Sequence, residues 1–79
     1  MSVFVRLSPL LRKYVPGYDY TEGIVMEKGA GKRISQLAEE LNIPKEMVTS
    51  VLVNRLPSRT GYVARDRDRI LLAMVIGGG

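Results

Sequence analysis

Apolar residues recur along this chain at two spacings, one of strands and one of a helix. Val3, Val5 and Leu7 alternate with Phe4 and Arg6, a period of two that predicts a half-buried strand over Val3–Leu7. Its odd positions point to a core, and Phe4 and Arg6 stand on the other face. Ser8 and Pro9 follow as N-cap and first helical residue, so Leu10–Tyr14 reads as one short helical turn that Pro16 and Gly17 end. Tyr20–Glu27, centred on Ile24, Val25 and Met26, is a second strand, broken by the run from Lys28 to Gly31. The clearest element comes next. Ile34, Leu37, Ala38 and Leu41 form one apolar stripe at helical spacing, with Gln36, Glu39 and Glu40 on the wet side. Asn42 is a natural stop for this helix, and Pro44 forbids its continuation.

Lys45–Met47 reads as one more turn, Val48–Val53 as a strand, and Asn54–Thr60 as a turn-rich connection. Tyr62–Ala64 reads as a very short strand, Asp66–Asp68 as a turn, and Arg69–Val75 as the last strand. Strands, one helix, then strands again predict an α+β fold in which a mixed sheet packs on one main helix. Val3, Val5, Leu7, Ile24, Met26, Ile34, Leu37, Leu41, Ile70 and Leu72 are the expected core. With 79 residues there is room for one such domain, expected over residues 1–75, and little room for a buried cleft.

Composition narrows the chemistry more than the fold. The chain has no Cys and no His, which excludes disulfides, thiolate or imidazole metal sites, and any triad built on imidazole or a thiol. It is expected to bind no cofactor or metal itself. No apolar run approaches the roughly 18 residues that span a membrane, and the first residues lack a basic export signal, so the expected location is cytoplasmic. The net charge is +4, and five of the twelve cationic residues lie between Arg55 and Arg69, opposed there by Asp66 and Asp68 alone. Such a surplus fits an anionic partner, or is simply a solvated surface. Only Tyr62 interleaves with these arginines, so a base-stacking platform is not indicated. Gly29–Arg33 is not a Walker A loop, because Met26 and Arg33 occupy the positions where Gly and Ser or Thr are required. Asp66 and Asp68, interleaved with arginines, read as a charged turn and not as a metal pair.

After the apolar run Ile70–Val75 the chain passes directly into Ile76, Gly77, Gly78 and Gly79. These four residues are expected to form a flexible tail reaching at most about 13 Å. Glycine backbone threads narrow channels because it has no Cβ. The tail therefore suits insertion into another protein's active site, with the Gly79 carboxylate as the reacting group. A carboxylate is a poor electrophile and needs activation, so the domain would be the substrate and its partner the enzyme.

Several segments together resemble one family. Val3–Tyr14 (VFVRLSPLLRKY) is similar to the opening strand and short helix of the molybdopterin synthase small subunit, and Val51–Asn54 to its strand ending in Val-Asn. Asp66–Leu72, followed by Val75–Gly79, resembles its closing Asp-x-Asp turn, last strand and Gly-Gly tail. These are features of the MoaD/ThiS-type sulfur carriers, which are ubiquitin-like β-grasp proteins. The resemblance implies that a MoeB/ThiF-type adenylyltransferase uses ATP and Mg²⁺ to adenylate Gly79. Sulfur then replaces AMP, and the thiocarboxylate donates it to an acceptor such as a molybdopterin synthase large subunit or a thiazole synthase. It also implies that the first and last strands are neighbours, so that Leu71 and Ala73 join Phe4 and Arg6 in a partner-binding patch on the open sheet face. The chain departs from the family at Arg67, where Gly is usual, and at Met74-Val75, where the molybdopterin type has Pro-Pro. Its ending is closer to thiamine-type carriers, whereas the long stretch between the first two strands suits the molybdopterin type. Two other readings stand beside the carrier: a protein modifier joined to lysines through Gly79, and a small basic nucleic-acid-binding module.

Overall fold

Strand β1 (Val3–Leu7) forms where the alternation is strictest, and its residues are in turn buried and exposed from Val3 to Leu7. The computed structural model describes residues 1–76; Gly77, Gly78 and Gly79 lie outside the described residues. The other strands are β2 (Ile24–Met26), β3 (Ser50–Val53), β4 (Leu56–Ser58) and β5 (Arg69–Ala73), and the main helix α1 spans Ile34–Glu40. Short 3-10 helices occupy Pro9–Tyr14 and Lys45–Met47. The chain is an α+β protein: one five-stranded mixed sheet in the order β2-β1-β5-β3-β4, with α1 against one face.

β1 and β5 pair in parallel at the centre of the sheet, and the other pairings are antiparallel. Val5 lies beside Ile70 and Leu7 beside Leu72, all buried, while Phe4 lies beside Arg69 and Arg6 beside Leu71 on the outer face. A slip of one residue would exchange the two sets, so burial specifies this register. On the inner face Ile34, Leu37 and Ala38 of α1 complete the core. Of the ten expected core residues, Ile24, Met26 and Leu41 are only partly buried. Leu11, Ile43, Val48, Val51, Val53 and Ala64 are core residues that periodicity did not mark.

Both helix ends have a local cause. The Arg33 backbone N–H donates to Gln36 Oε1 at 2.9 Å; arginine offers no acceptor in return, so half of a capping box forms. At the other end Asn42 takes φ 59°, and the N–H groups of Asn42 and Ile43 close on the carbonyls of Glu39 and Ala38. This is a Schellman closure with Asn in the position that usually takes Gly, and it turns Ile43 back into the core.

Several expected elements differ. β2 is three residues long, because the Asp19 carboxylate accepts the N–H groups of Thr21 and Glu22 and holds that stretch as a turn. Gly23 then enters β2 at φ 73°, where a Cβ would lie 2.8 Å from the Val5 carbonyl oxygen. β3 starts at Ser50 and not Val48, whose N–H closes the preceding 3-10 turn on Lys45. The segment expected as a turn-rich connection contains β4. Val53 pairs with Leu56 across a turn of Asn54 and Arg55 alone, both at positive φ, as a tight two-residue hairpin requires. Tyr62–Ala64 is no strand of the sheet: Val63 makes one isolated bridge to Arg33. β5 ends at Ala73, because the next two N–H groups bond to side chains. The Ser8 hydroxyl, expected as a helix cap, is one of them.

Leu37→Ala should lower the unfolding free energy by about 2–5 kcal/mol, since the deleted atoms leave a cavity that helix and sheet cannot both close. Urea denaturation of the two proteins measures this.

Candidate functional site

Among the described residues no helix covers the outer face of the sheet, and the strand registers decide what it presents. Phe4 and Arg6 of β1 stand beside Arg69 and Leu71 of β5, Val25 stands opposite Phe4, and Leu52 opposite Leu71. A shallow hollow of about 580 Å³ opens here. Phe4, Leu52 and Leu71 give it an apolar floor, and Arg6, Arg55, Arg69 and Glu22 line it as well. Phe4 keeps 40% of its surface exposed, too much for a side chain that serves the core alone. Phe4, Arg6 and Leu71 therefore come together as expected. Ala73 shares the face, two residues further along β5, but does not line the hollow. Leu52, Arg55, Arg69 and Glu22 were missed. For Leu52 and Arg55 the signal was incomplete: Asn54 suits a two-residue hairpin, but Arg55 stands where Gly is usual.

Two clusters hold the edges of this hollow in place. On one side the Arg6 guanidinium donates to the carbonyls of Thr21 (2.7 Å) and Tyr20 (3.3 Å), fastening the loop that carries Glu22. Arg12 lies 4.3 Å from the Tyr20 ring centre and 5.5 Å from that of Tyr18. Its Nε donates to the Leu7 carbonyl, while the Tyr18 hydroxyl accepts the Leu7 N–H. Stacked cations of this kind stabilise by about 0.5–1 kcal/mol when exposed, an addition to the hydrogen bonds that hold this loop.

On the other side Asp68 is buried and accepts from Asn54 Nδ2 (2.9 Å), the Tyr62 hydroxyl (2.8 Å) and the Arg65 N–H (2.8 Å). Asn54 Oδ1 in turn accepts the Arg69 N–H. Burial is the strongest influence on this carboxyl and pushes its pKa up. The three hydrogen bonds, with the nearby Arg65 charge, outweigh it and leave the pKa below its ordinary value. The same contact raises the Tyr62 pKa, chiefly because its hydroxyl proton is held by the carboxylate. Asp66, by contrast, is exposed. Asp68 already accepts from three donors, and among the described residues no group of three or more His, Cys, Asp or Glu gathers in a way that could hold a metal ion.

The third feature is the root of the C-terminal segment. The Met74 N–H donates to Ser8 Oγ (3.1 Å) and the Val75 N–H to Thr49 Oγ1 (2.9 Å). Ser8 follows β1 and Thr49 precedes β3, so one hydroxyl from each flanking segment grips the chain as it leaves β5. Val75 and Ile76 are exposed, at 64% and 70%. The expected reacting residues Gly77, Gly78 and Gly79 lie outside the described residues. Among the described residues no helix is long and apolar enough to cross a membrane. No family model matches the chain, and no curated protein does either.

Asp68→Asn should destabilise the fold by about 1–3 kcal/mol, because amide hydrogens meet donors that need an acceptor. The pKa of Asp68 is lowered on folding from 3.8. Its contribution is thus fully present above that value and lost as pH falls through the lower folded-state value. Denaturation midpoints measured down this range should fall in the parent protein and be flatter in Asp68→Asn.

Proposed function

We propose that this protein is a sulfur carrier of the ubiquitin-like, β-grasp kind, whose Gly79 carboxylate a MoeB/ThiF-type partner adenylates with ATP and Mg²⁺. The observation that carries the reading is the way β5 ends. The central strand of the sheet leads into the Ile-Gly-Gly-Gly segment through a hydroxyl clasp at Met74 and Val75, with Val75 and Ile76 uncovered. A rigid root suits a reacting end that must reach a fixed depth in another protein. The strand order, with first and last strands parallel at the centre, is the arrangement expected of a β-grasp domain.

In this reading a Gly79 carboxylate oxygen attacks the α-phosphorus of ATP and pyrophosphate leaves. Sulfur from a persulfide donor then attacks the acyl carbon and AMP leaves. Cleavage of the donor's sulfur–sulfur bond by a thiol frees the thiocarboxylate, which serves an acceptor enzyme of molybdopterin or thiamine-type cofactor synthesis in the cytoplasm. The chain needs no Cys or His for any of these steps, and it has none. Its own residues dock and position. Phe4 and Leu71, with Arg6 beside them and Ala73 along the strand, form the face that meets the partner. Ser8 and Thr49 set where the tail begins, and Ile76, Gly77 and Gly78 pass through the partner's channel.

Incubation with an adenylating enzyme from the same source, ATP, Mg²⁺ and a persulfide donor should raise the intact mass by one oxygen-to-sulfur exchange. The same spectrum reads whether Gly79 carries the free carboxylate. Deleting Gly79, or adding one residue after it, moves that carboxylate by about 3.5 Å. Since a misplacement of about 1 Å can cost 10²-fold, both changes should abolish activation and leave the melting temperature unchanged. A tail-deleted protein that still supports sulfur transfer, or lysine adducts in place of the thioacid, would end the carrier reading. Phe4→Glu and Leu71→Glu should each weaken the enzyme complex in a folded protein, and unchanged affinity in both would remove this face from it.

A further inference from the structure

Two arginines of this chain occupy backbone positions that glycine fills without strain: Arg55 at φ 71° and Arg67 at φ 69°. For a residue with a Cβ this region is sterically costly, which raises the question of what each side chain does there. Asn54, the other half of the β3–β4 turn, has a structural use, since its amide bonds Asp68 and the Arg69 N–H. Arg55 has none of that kind. It is exposed, and the one ion pair among the described residues is Lys32–Glu40. Its side chain lines the hollow over Phe4, Leu52 and Leu71. Of the other two arginines there, Arg6 is already bound to the carbonyls of Tyr20 and Thr21, and Arg69 belongs to β5 and takes no left-handed position. Among the described residues Glu22 is the one carboxylate at the hollow.

We propose that Arg55 is a specificity-determining residue of the open face. It reads a carboxylate that flanks an apolar side chain on the adenylating partner, the apolar group resting on Phe4, Leu52 and Leu71. This rests on the reading of that face as the docking surface. Charge selects the partner's chemistry. Arg6, Arg55 and Arg69 against Glu22 leave an excess of positive charge around an apolar floor. Such a surface is complemented by an apolar group ringed by acids, and like charge is rejected. A guanidinium held on a two-residue turn is presented in a defined place and forms paired bonds to a carboxylate. Nucleic acid is the weaker fit, because Phe4 is the one aromatic ring at the hollow and a run of bases would need several.

Arg67 supplies the matched control. Arg55→Gly and Arg67→Gly each remove one positive charge and one left-handed non-glycine residue, but Arg67 does not line the hollow. Titration calorimetry against the adenylating enzyme should show Arg55→Gly weakening the complex about tenfold (about 1.4 kcal/mol) and Arg67→Gly leaving it within about twofold. Arg55→Gly should keep or raise the urea midpoint. Equal losses in both variants would make the effect one of net charge and overturn the proposal, as would an undiminished affinity of Arg55→Gly. A fall in its midpoint would show that the side chain serves the fold, with the same consequence. A single-stranded oligonucleotide whose binding drops with Arg55→Gly, while enzyme binding does not, would replace the proposal with a nucleic-acid site. Failure of the parent protein itself to bind the enzyme would overturn the docking reading together with this one.

Discussion

The parallel pairing of β1 with β5 is the contact on which the other elements lean. Parallel strands are usually buried on both faces, yet here one face is covered by α1 and the other is open. The pairing holds because inner and outer residues separate cleanly along both strands: Val5 with Ile70 and Leu7 with Leu72 inside, Phe4 with Arg69 and Arg6 with Leu71 outside. The ladder extends beyond both ends, through the Phe4 N–H to the Asp68 carbonyl and the Ser8 N–H to the Leu72 carbonyl. Every other strand is added outward from this pair, β2 on one side and β3 with β4 on the other. The composition of the open face follows from that one register.

Polar groups hold the margins where apolar burial is absent. Asp68 joins the start of β5 to the β3–β4 turn through Asn54 and to the crossing segment through Tyr62. It sits at the end of the sheet where Arg55 is displayed. Ser8 and Thr49 do a comparable task at the opposite end of β5, where the next backbone N–H groups find hydroxyls in place of strand partners. The ladder stops where these N–H groups turn from strand carbonyls to side-chain hydroxyls, so the identity of the acceptor decides where the strand ends. The two ends of one strand thus serve the two parts of the proposed function, the docking face and the root of the tail.

Much of this was legible in the residues, for stated reasons. Val3–Leu7 and the stripe of Ile34, Leu37 and Ala38 carry strong single periods, and Asn42 marked the helix end that its φ of 59° realises. The errors fall where local chemistry and tertiary need disagree. β4 contains Pro57, which argues against a strand unless that strand lies at a sheet edge, as this one does. Tyr62–Ala64 looks like a strand by residue type, yet its tyrosine is drawn to Asp68 and its alanine fills the core. Leu11 lies within one short 3-10 helix, and Ile43 and Val48 stand on either side of the other, where no period exists to mark them. Phe4, Arg6 and Leu71 could be placed together once β1 and β5 were taken as neighbours. Arg55 required a hairpin that the turn-rich composition concealed.

The clasp at Met74 and Val75 also bears on the order of events in synthesis. Ser8 and Thr49 are made well before the segment they bind, which follows β5 in the chain. Contacts this distant in sequence form late and slowly, and a growing chain lacks the central strand until Arg69–Ala73 has been made. Met74 and Val75 can find both hydroxyls only in a molecule whose sheet has closed. The clasp therefore reports a closed sheet, and a partner that recognised the open face together with the strand's exit would pass over molecules whose sheet has not formed.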